Sequence, residues 1–459
     1  GQSEIMSTLM GTATDAVALP KMLEVSDNNG ITPLHFAVLN DHVDIVRMLT
    51  LSGIPVNQKD NAGRSPLFLA AFTGHVECLG LLITARANVG TVDNLGRSAL
   101  HCAAYNNHVE CAQRLLAAGS NPNSKDQDGR TPLHIASFMG HSSMTKLLLE
   151  KKASLGERDK DGRLPLHSAA INGKAECLEV LLSQAIPRQA NAISRVGRTV
   201  LHSAALHGHA ECVAALLDYG VECNTEDPDG KSPLYAAATC GDPDCVALLL
   251  DAGADVDKED YQARTPSYIA AQQGHVQVLK VLSDNGANLD RKNERGNSPL
   301  HIAASRGNAQ CCLFLAQQGA DLGAQDINGK TPLHAAAYKG ETLCGLALIR
   351  MGASIRTFDK RDKTPISAAV TAGFREAAKA FEDEAARPRP MSAMSTQMST
   401  RAPSTVGGEG KDGEGADGDA IDPLNQSQAG ISEADESAAP TERSALAAAE
   451  SAGDAPEPA

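Results

Sequence analysis

Fourteen histidines and eleven cysteines have the widest chemical reach of any residues in this chain. Imidazole can ligate a metal or move a proton near neutral pH, and a thiolate can bind zinc or act as a nucleophile. Their spacing argues against all of these roles. Seven histidines (His35, His101, His134, His167, His202, His301 and His334) share one position in a unit that recurs every 33 residues. Six more (His42, His75, His108, His141, His209 and His275) share a second position, and only His207 stands outside both. A catalytic set needs nucleophile, base and orienter together, not one member per unit. One imidazole per repeat reads instead as a structural hydrogen bond from each unit to its neighbour.

The cysteines follow the same logic. Cys78, Cys111, Cys177, Cys212, Cys245, Cys311 and Cys344 occupy one column, which other copies fill with Ile45, Met144 and Val278. A site that accepts Ile, Val, Met or Cys is a small apolar pocket, where free Cys behaves as a hydrophobe. One thiol per repeat cannot bring four zinc ligands together. Cys240 and Cys312 lie outside the column, where either could be an exposed thiol. No metal and no cofactor are expected.

Two charged ladders run in step. Arg64, Arg97, Arg130, Arg163, Arg198, Lys231, Arg264, Lys330 and Lys363 form a basic ladder after the turn, and Asp60, Asp93, Asp126, Asp159, Asp227, Asp260, Asp326 and Asp359 form an acidic ladder at its start. The alternation favours ion pairing between repeats at the turn tips, with binding of phosphate or an acidic peptide as the alternative. The stretch Gly407-Gly408-Glu409-Gly410-Lys411-Asp412 lacks the glycine spacing, the Ser or Thr, and the preceding strand of a phosphate loop. No other catalytic motif appears, and the repeats leave no segment large enough for a catalytic domain. The chain is not expected to be an enzyme.

The elements that carry these columns are short. Eleven copies of a tetrapeptide run from Thr32-Pro33-Leu34-His35 to Thr364-Pro365-Ile366-Ser367, at steps of 33 residues except for one step of 35. Asp126 and Gly129 mark a tight turn; Thr131 is an N-cap and Pro132 a first helical residue. An apolar helix over Leu133–Phe138 ends at a Gly140-His141 turn, and a second helix carries Leu147, Leu148 and Leu149. Neither helix can bury its apolar side alone, so neighbouring units must stack.

The grammar Asp-x-x-Gly-x-Thr-Pro-Leu-His-x-Ala-Ala-x-x-Gly-His resembles the ankyrin repeat, in register from near Asp27 to about Ala385. Segments Ala70–Leu79 and Asn106–Cys111 are similar to repeats of the ankyrin subunits associated with protein phosphatase 6. The expected fold is an all-α ankyrin solenoid. Residues 1–26 are expected to form N-terminal capping helices, 27–385 eleven repeats with a two-residue insertion near 183–194, and 386–459 a disordered acidic tail. Two places break the grammar. Ala185 and Pro187 lie in the insertion, and the eighth repeat has Ala263 for the turn glycine and Ser267 for the core leucine.

Composition narrows the partner. The chain carries a net charge of −15, no Trp and 3% aromatic residues. It lacks both the basic face of a duplex binder and the stacking platform of a single-strand binder. No apolar run approaches the roughly 18 residues of a membrane span. The expected partner is another protein, not nucleic acid, membrane or a small-molecule substrate. A reducing, cytoplasmic setting is expected, with cytoskeletal, ciliary or nuclear pools. The resemblance implies a concave contact surface of turn tips and first-helix ends. One column there reads Leu39, Phe72, Tyr105, Phe138, Ile171 and Leu206 before becoming Thr239, Gln272, Ser305, Tyr338 and Thr371. The first six are the candidate partner-binding residues. The expected role is a non-catalytic scaffold or a targeting, regulatory subunit; the alternative is a structural tether in a cytoskeletal or ciliary assembly.

Overall fold

The computed structural model describes residues 25–387. The expected N-terminal cap, apart from its last two residues, and nearly all of the expected acidic tail lie outside the described residues. Among the described residues the chain forms 23 helices and no strand longer than the isolated bridges Val92–Ser98 and Ile193–Thr199.

The fourth repeat shows why these helices form. Thr131 is extended, and its hydroxyl accepts from the His134 amide, satisfying one of the free N–H groups at the helix start. Pro132 then opens the helix Pro132–Met139, one residue earlier and one later than the sequence suggests. Gly140, at φ +86°, reverses the chain; a Cβ there would press on the Lys174 side chain of the next repeat at 2.7 Å. The second helix, Ser142–Glu150, returns antiparallel. Leu133, Ala136, Met144 and Leu148 are fully buried between the helices and their neighbours. Small Ala residues at the inner positions (Ala70, Ala103, Ala136, Ala169, Ala204, Ala237) let successive first helices approach closely.

The cysteine column is core. All seven of its members are buried, and burial pushes the Cys78, Cys212 and Cys311 thiols up to about 12. Of the two thiols expected as candidates for exposure, Cys240 is exposed but Cys312 is buried beside Cys344. The correction at Cys312 has a simple cause: adjacent helix positions can both face neighbouring units when helices pack on both sides.

The tips are built by aspartate. The Asp60 carboxylate accepts from the Ala62 and Arg64 amides at 3.0 and 2.8 Å, and Asp93, Asp159, Asp260 and Asp359 cap their own turns likewise. The expected ion pairing between repeats is corrected here. Arg64, Arg97 and Arg264 pair with Asp60, Asp93 and Asp260 of their own tips at 2.6 to 2.7 Å. The four-residue turn brings both ends of the pair together, so no neighbour is needed. Arg198 approaches the next repeat's Asp227, at 3.9 Å, because Ser194 stands where its own tip would carry Asp.

Both irregular places show their strain. The insertion folds as a one-turn helix, Pro187–Ala190. Ala263 holds the turn glycine's left-handed conformation at φ +54°. Ser267 is fully buried, and among the described residues its hydroxyl has no hydrogen-bond partner.

Candidate protein-binding face

Six of the seven histidines of the first column bolt the repeats together. The His35 Nδ1 accepts from the Thr32 amide at 3.2 Å, and Nε2 faces the Arg64 carbonyl of the next repeat at 3.1 Å. An amide can only donate and a carbonyl only accept, so the ring is neutral with its proton on Nε2. The same pair of bonds recurs at His101, His134, His202, His301 and His334. Burial drives the His101 and His134 pKa values down to about 4, since a charged ring would lose both solvation and the bond that Nδ1 accepts.

His167 is the exception. It is fully buried and lowered to about 3 by that burial, yet among the described residues its Nε2 has no hydrogen-bond partner. The insertion lies between this repeat and the next, and the Arg198 carbonyl faces the ring without reaching bonding geometry.

Histidines of the second column lie under the candidate stripe. His108 Nε2 donates to the Phe72 carbonyl at 3.1 Å, His141 to Tyr105 at 2.9 Å and His209 to Ile171 at 2.9 Å. His75 reaches the Val38 carbonyl, one residue before Leu39, at 2.8 Å. The backbone beneath the stripe is therefore tied to the following repeat.

Leu39, Phe72, Tyr105, Phe138, Ile171 and Leu206 are each half-buried. Leu39, Phe72 and Leu206 pack partly against the core, while the remainder of each side chain faces solvent. All six lie at the ends of first helices, at Pro33–Leu39, Pro66–Thr73, Ala99–Tyr105, Pro132–Met139, Pro165–Ile171 and Val200–Leu206. Successive first helices pack side by side, which sets the six residues in order along one edge.

The structure adds two features to this face. Tyr338, which continues the column in the tenth repeat, is 55% exposed, more open than any of the six. The third tip position changes from Asp128, Asp161 and Asp229 to Arg295 and Arg361. Reading that column copy by copy, as was done for the stripe, would have found it.

Family models describe the same units. The model for ankyrin repeats in three copies matches residues 49–126, 100–192, 186–260 and 257–326, and the model for a single ankyrin repeat matches 29–61 and 328–360. The chain belongs to the ankyrin repeat family. Arrays of this kind are in general non-catalytic modules for protein–protein interaction. Among solved structures the chain is similar to the crystal structure of the human ASB11 ankyrin repeat domain. The two are 28% identical with a TM-score of 0.44, over 47% of this chain and 97% of that one. No curated protein matches the chain significantly.

Proposed function

We propose that the protein is a non-catalytic scaffold or targeting subunit that holds a protein partner on its concave face, with Leu39, Phe72, Tyr105, Phe138, Ile171 and Leu206 as anchors. The observation that carries this reading is a stripe of bulky side chains, half open to solvent, on a backbone fixed by cross-repeat histidine bonds. Anchors held in place before binding lose little conformational freedom on contact, which favours affinity. Large apolar and aromatic groups at the centre of an interface also supply most of its energy. The free, mostly buried thiols suit a reducing compartment.

The test pairs Phe72→Ala and Phe138→Ala in one full-length chain and sets it beside a control with Gln272→Ala and Ser305→Ala. Tagged chains are used for affinity capture and mass spectrometry, and each variant is melted in parallel. Two anchors at about 2 kcal/mol each correspond to roughly a thousandfold weaker complex. Proteins retained by the wild type and the control but lost from the stripe variant, with a native-like melt, support the reading. Unchanged capture by the stripe variant, or a collapsed melt that marks both residues as core, overturns it.

A further inference from the structure

The last three complete tips differ electrostatically from the earlier ones. In repeats four, five and seven the third tip residue is an aspartate that pairs with the ladder cation beside it. Asp128 meets Arg130 at 3.6 Å, Asp161 meets Arg163 at 3.3 Å and Asp229 meets Lys231 at 3.2 Å. In repeats nine and eleven the same position holds Arg295 and Arg361, both exposed and without an ion pair among the described residues.

The residue before the central turn glycine follows suit. It is Thr73, Met139, Asn172, His207 and Cys240 in earlier copies, but Arg306 and Lys339 in the ninth and tenth. Arg306 and Lys339 are exposed and likewise unpaired among the described residues. Lys330 lies over the exposed Tyr338 ring, 5.0 Å from its centroid.

Among the carboxylates of the same face, Asp326 and Asp359 turn inward to cap their own tips, while Glu341 lies over Gly307. Glu294 and Asp362 are the exposed ones.

We propose that the tip face of repeats nine to eleven binds an acidic peptide segment of a protein partner. Charge complementarity names the occupant: an acidic strand neutralises Arg295, Arg306, Lys339 and Arg361, and Tyr338 gives its backbone an amphipathic surface to lie on. The geometry sets a period. Packed helices lie about 8–10 Å apart and an extended peptide rises about 3.3 Å per residue, so an acid at every third residue meets one repeat each. The inference rests on the reading that this face binds protein, and it adds a second contact region with its own chemistry.

The probe is a fluorescent peptide of four Glu-Ser-Gly units, titrated into the full-length chain and compared with its Gln-Ser-Gly analogue. The Glu peptide is expected to bind and the Gln analogue not. Arg306→Glu with Lys339→Glu should weaken binding at least about tenfold with an unchanged melt. Lys280→Glu with Lys379→Glu, exposed reversals on second helices, should leave it intact. An equal loss from both reversals, equal binding of the Gln analogue, or tighter binding of an oligothymidylate of the same charge would each overturn the proposal. The Phe72 and Phe138 double variant should bind the Glu peptide like the wild type, so the two readings fail independently.

Discussion

Lowering the pH should loosen this protein well before its carboxylates titrate. His101 and His134 are almost fully buried and neutral, with pKa values moved by burial from 6.5 to about 4. Unfolding returns both rings to water, where they take up protons below about pH 6.5. The unfolded chain then binds more protons than the folded one, so stability is complete above pH 6.5 and falls as the pH drops toward 4. Each such ring contributes a slope of about 1.4 kcal/mol per pH unit inside that window, or about 2 kcal/mol lost by about pH 5. His35, His301 and His334 are lowered by the same cause and add with the same sign. Burial raises Asp126 and Asp159, which oppose the trend as pH falls, so a single-residue comparison is sharper than the total slope. His134→Tyr provides it. The column already holds Tyr235, whose amide donates to the Ser232 hydroxyl at 3.2 Å, so the helix start accepts tyrosine. The variant loses the bonds to the Thr131 amide and the Arg163 carbonyl, about 1 kcal/mol each at pH 7, and removes one titrating group. Urea denaturation at several pH values between 7 and 5 should show the variant losing about 2 kcal/mol less than the wild type over that range, about 1 kcal/mol per pH unit. A wild-type stability that is level over this range, or a variant slope equal to the wild-type slope, would refute the reasoning.

Two further predictions concern places where the repeat grammar fails. His167→Phe, which copies Phe68 of the same column, gives up the bond that Nδ1 accepts from the Leu164 amide but also removes a buried N–H without a partner among the described residues. His134→Phe gives up the equivalent amide bond and the bond to the Arg163 carbonyl as well, so in urea denaturation it should cost about 1 kcal/mol more than His167→Phe; equal losses for both would show that the His167 Nε2 is bonded after all. Ser267→Ala removes an orphaned buried hydroxyl and Ala263→Gly relieves a positive φ, each worth about 1 kcal/mol of added stability. A lower melting temperature for either would show that its position is not strained.

Much of this fold was legible because one sequence contains many copies of itself. Thr131 and Pro132 mark a helix start in any context, and seven other copies repeat a Thr or Ser followed by Pro at the same place in the unit. The histidine columns were legible as ties between units for the same reason. What could not be read was the partner of each tie, since the Arg163 carbonyl that His134 reaches lies 29 residues away and is chemically like any other carbonyl. The charged ladders misled because spacing gives the distance along the chain, whereas the tight turn folds Asp60 back onto Arg64. Cys312 was ambiguous because a helix between two neighbours has two buried sides. At the site, the stripe was legible as a column of large residues. That its members are half-buried while Tyr338 is open depends on packing, which the column alone does not encode.

The columns that vary have one physical property in common. The stripe column joins the next repeat through its carbonyl: His108 and His141 donate to Phe72 and Tyr105, and His275 and Asn308 do the same where the column holds Thr239 and Gln272. The third tip position also accepts a cross-repeat amide through its carbonyl, at Leu95 from Gln127, at Asp128 from Lys160 and at Arg295 from Ile327. In both columns the backbone makes the stabilising bond, so the tie holds whether the side chain is leucine, tyrosine or glutamine, aspartate or arginine. The N-cap, histidine and cysteine columns bond or pack through the side chain itself, and substitution there is felt by the fold. An apolar stripe over the first six repeats and a basic surface over the last three can therefore coexist on one scaffold, because the bonds that stack the repeats do not depend on the side chains that distinguish the two regions.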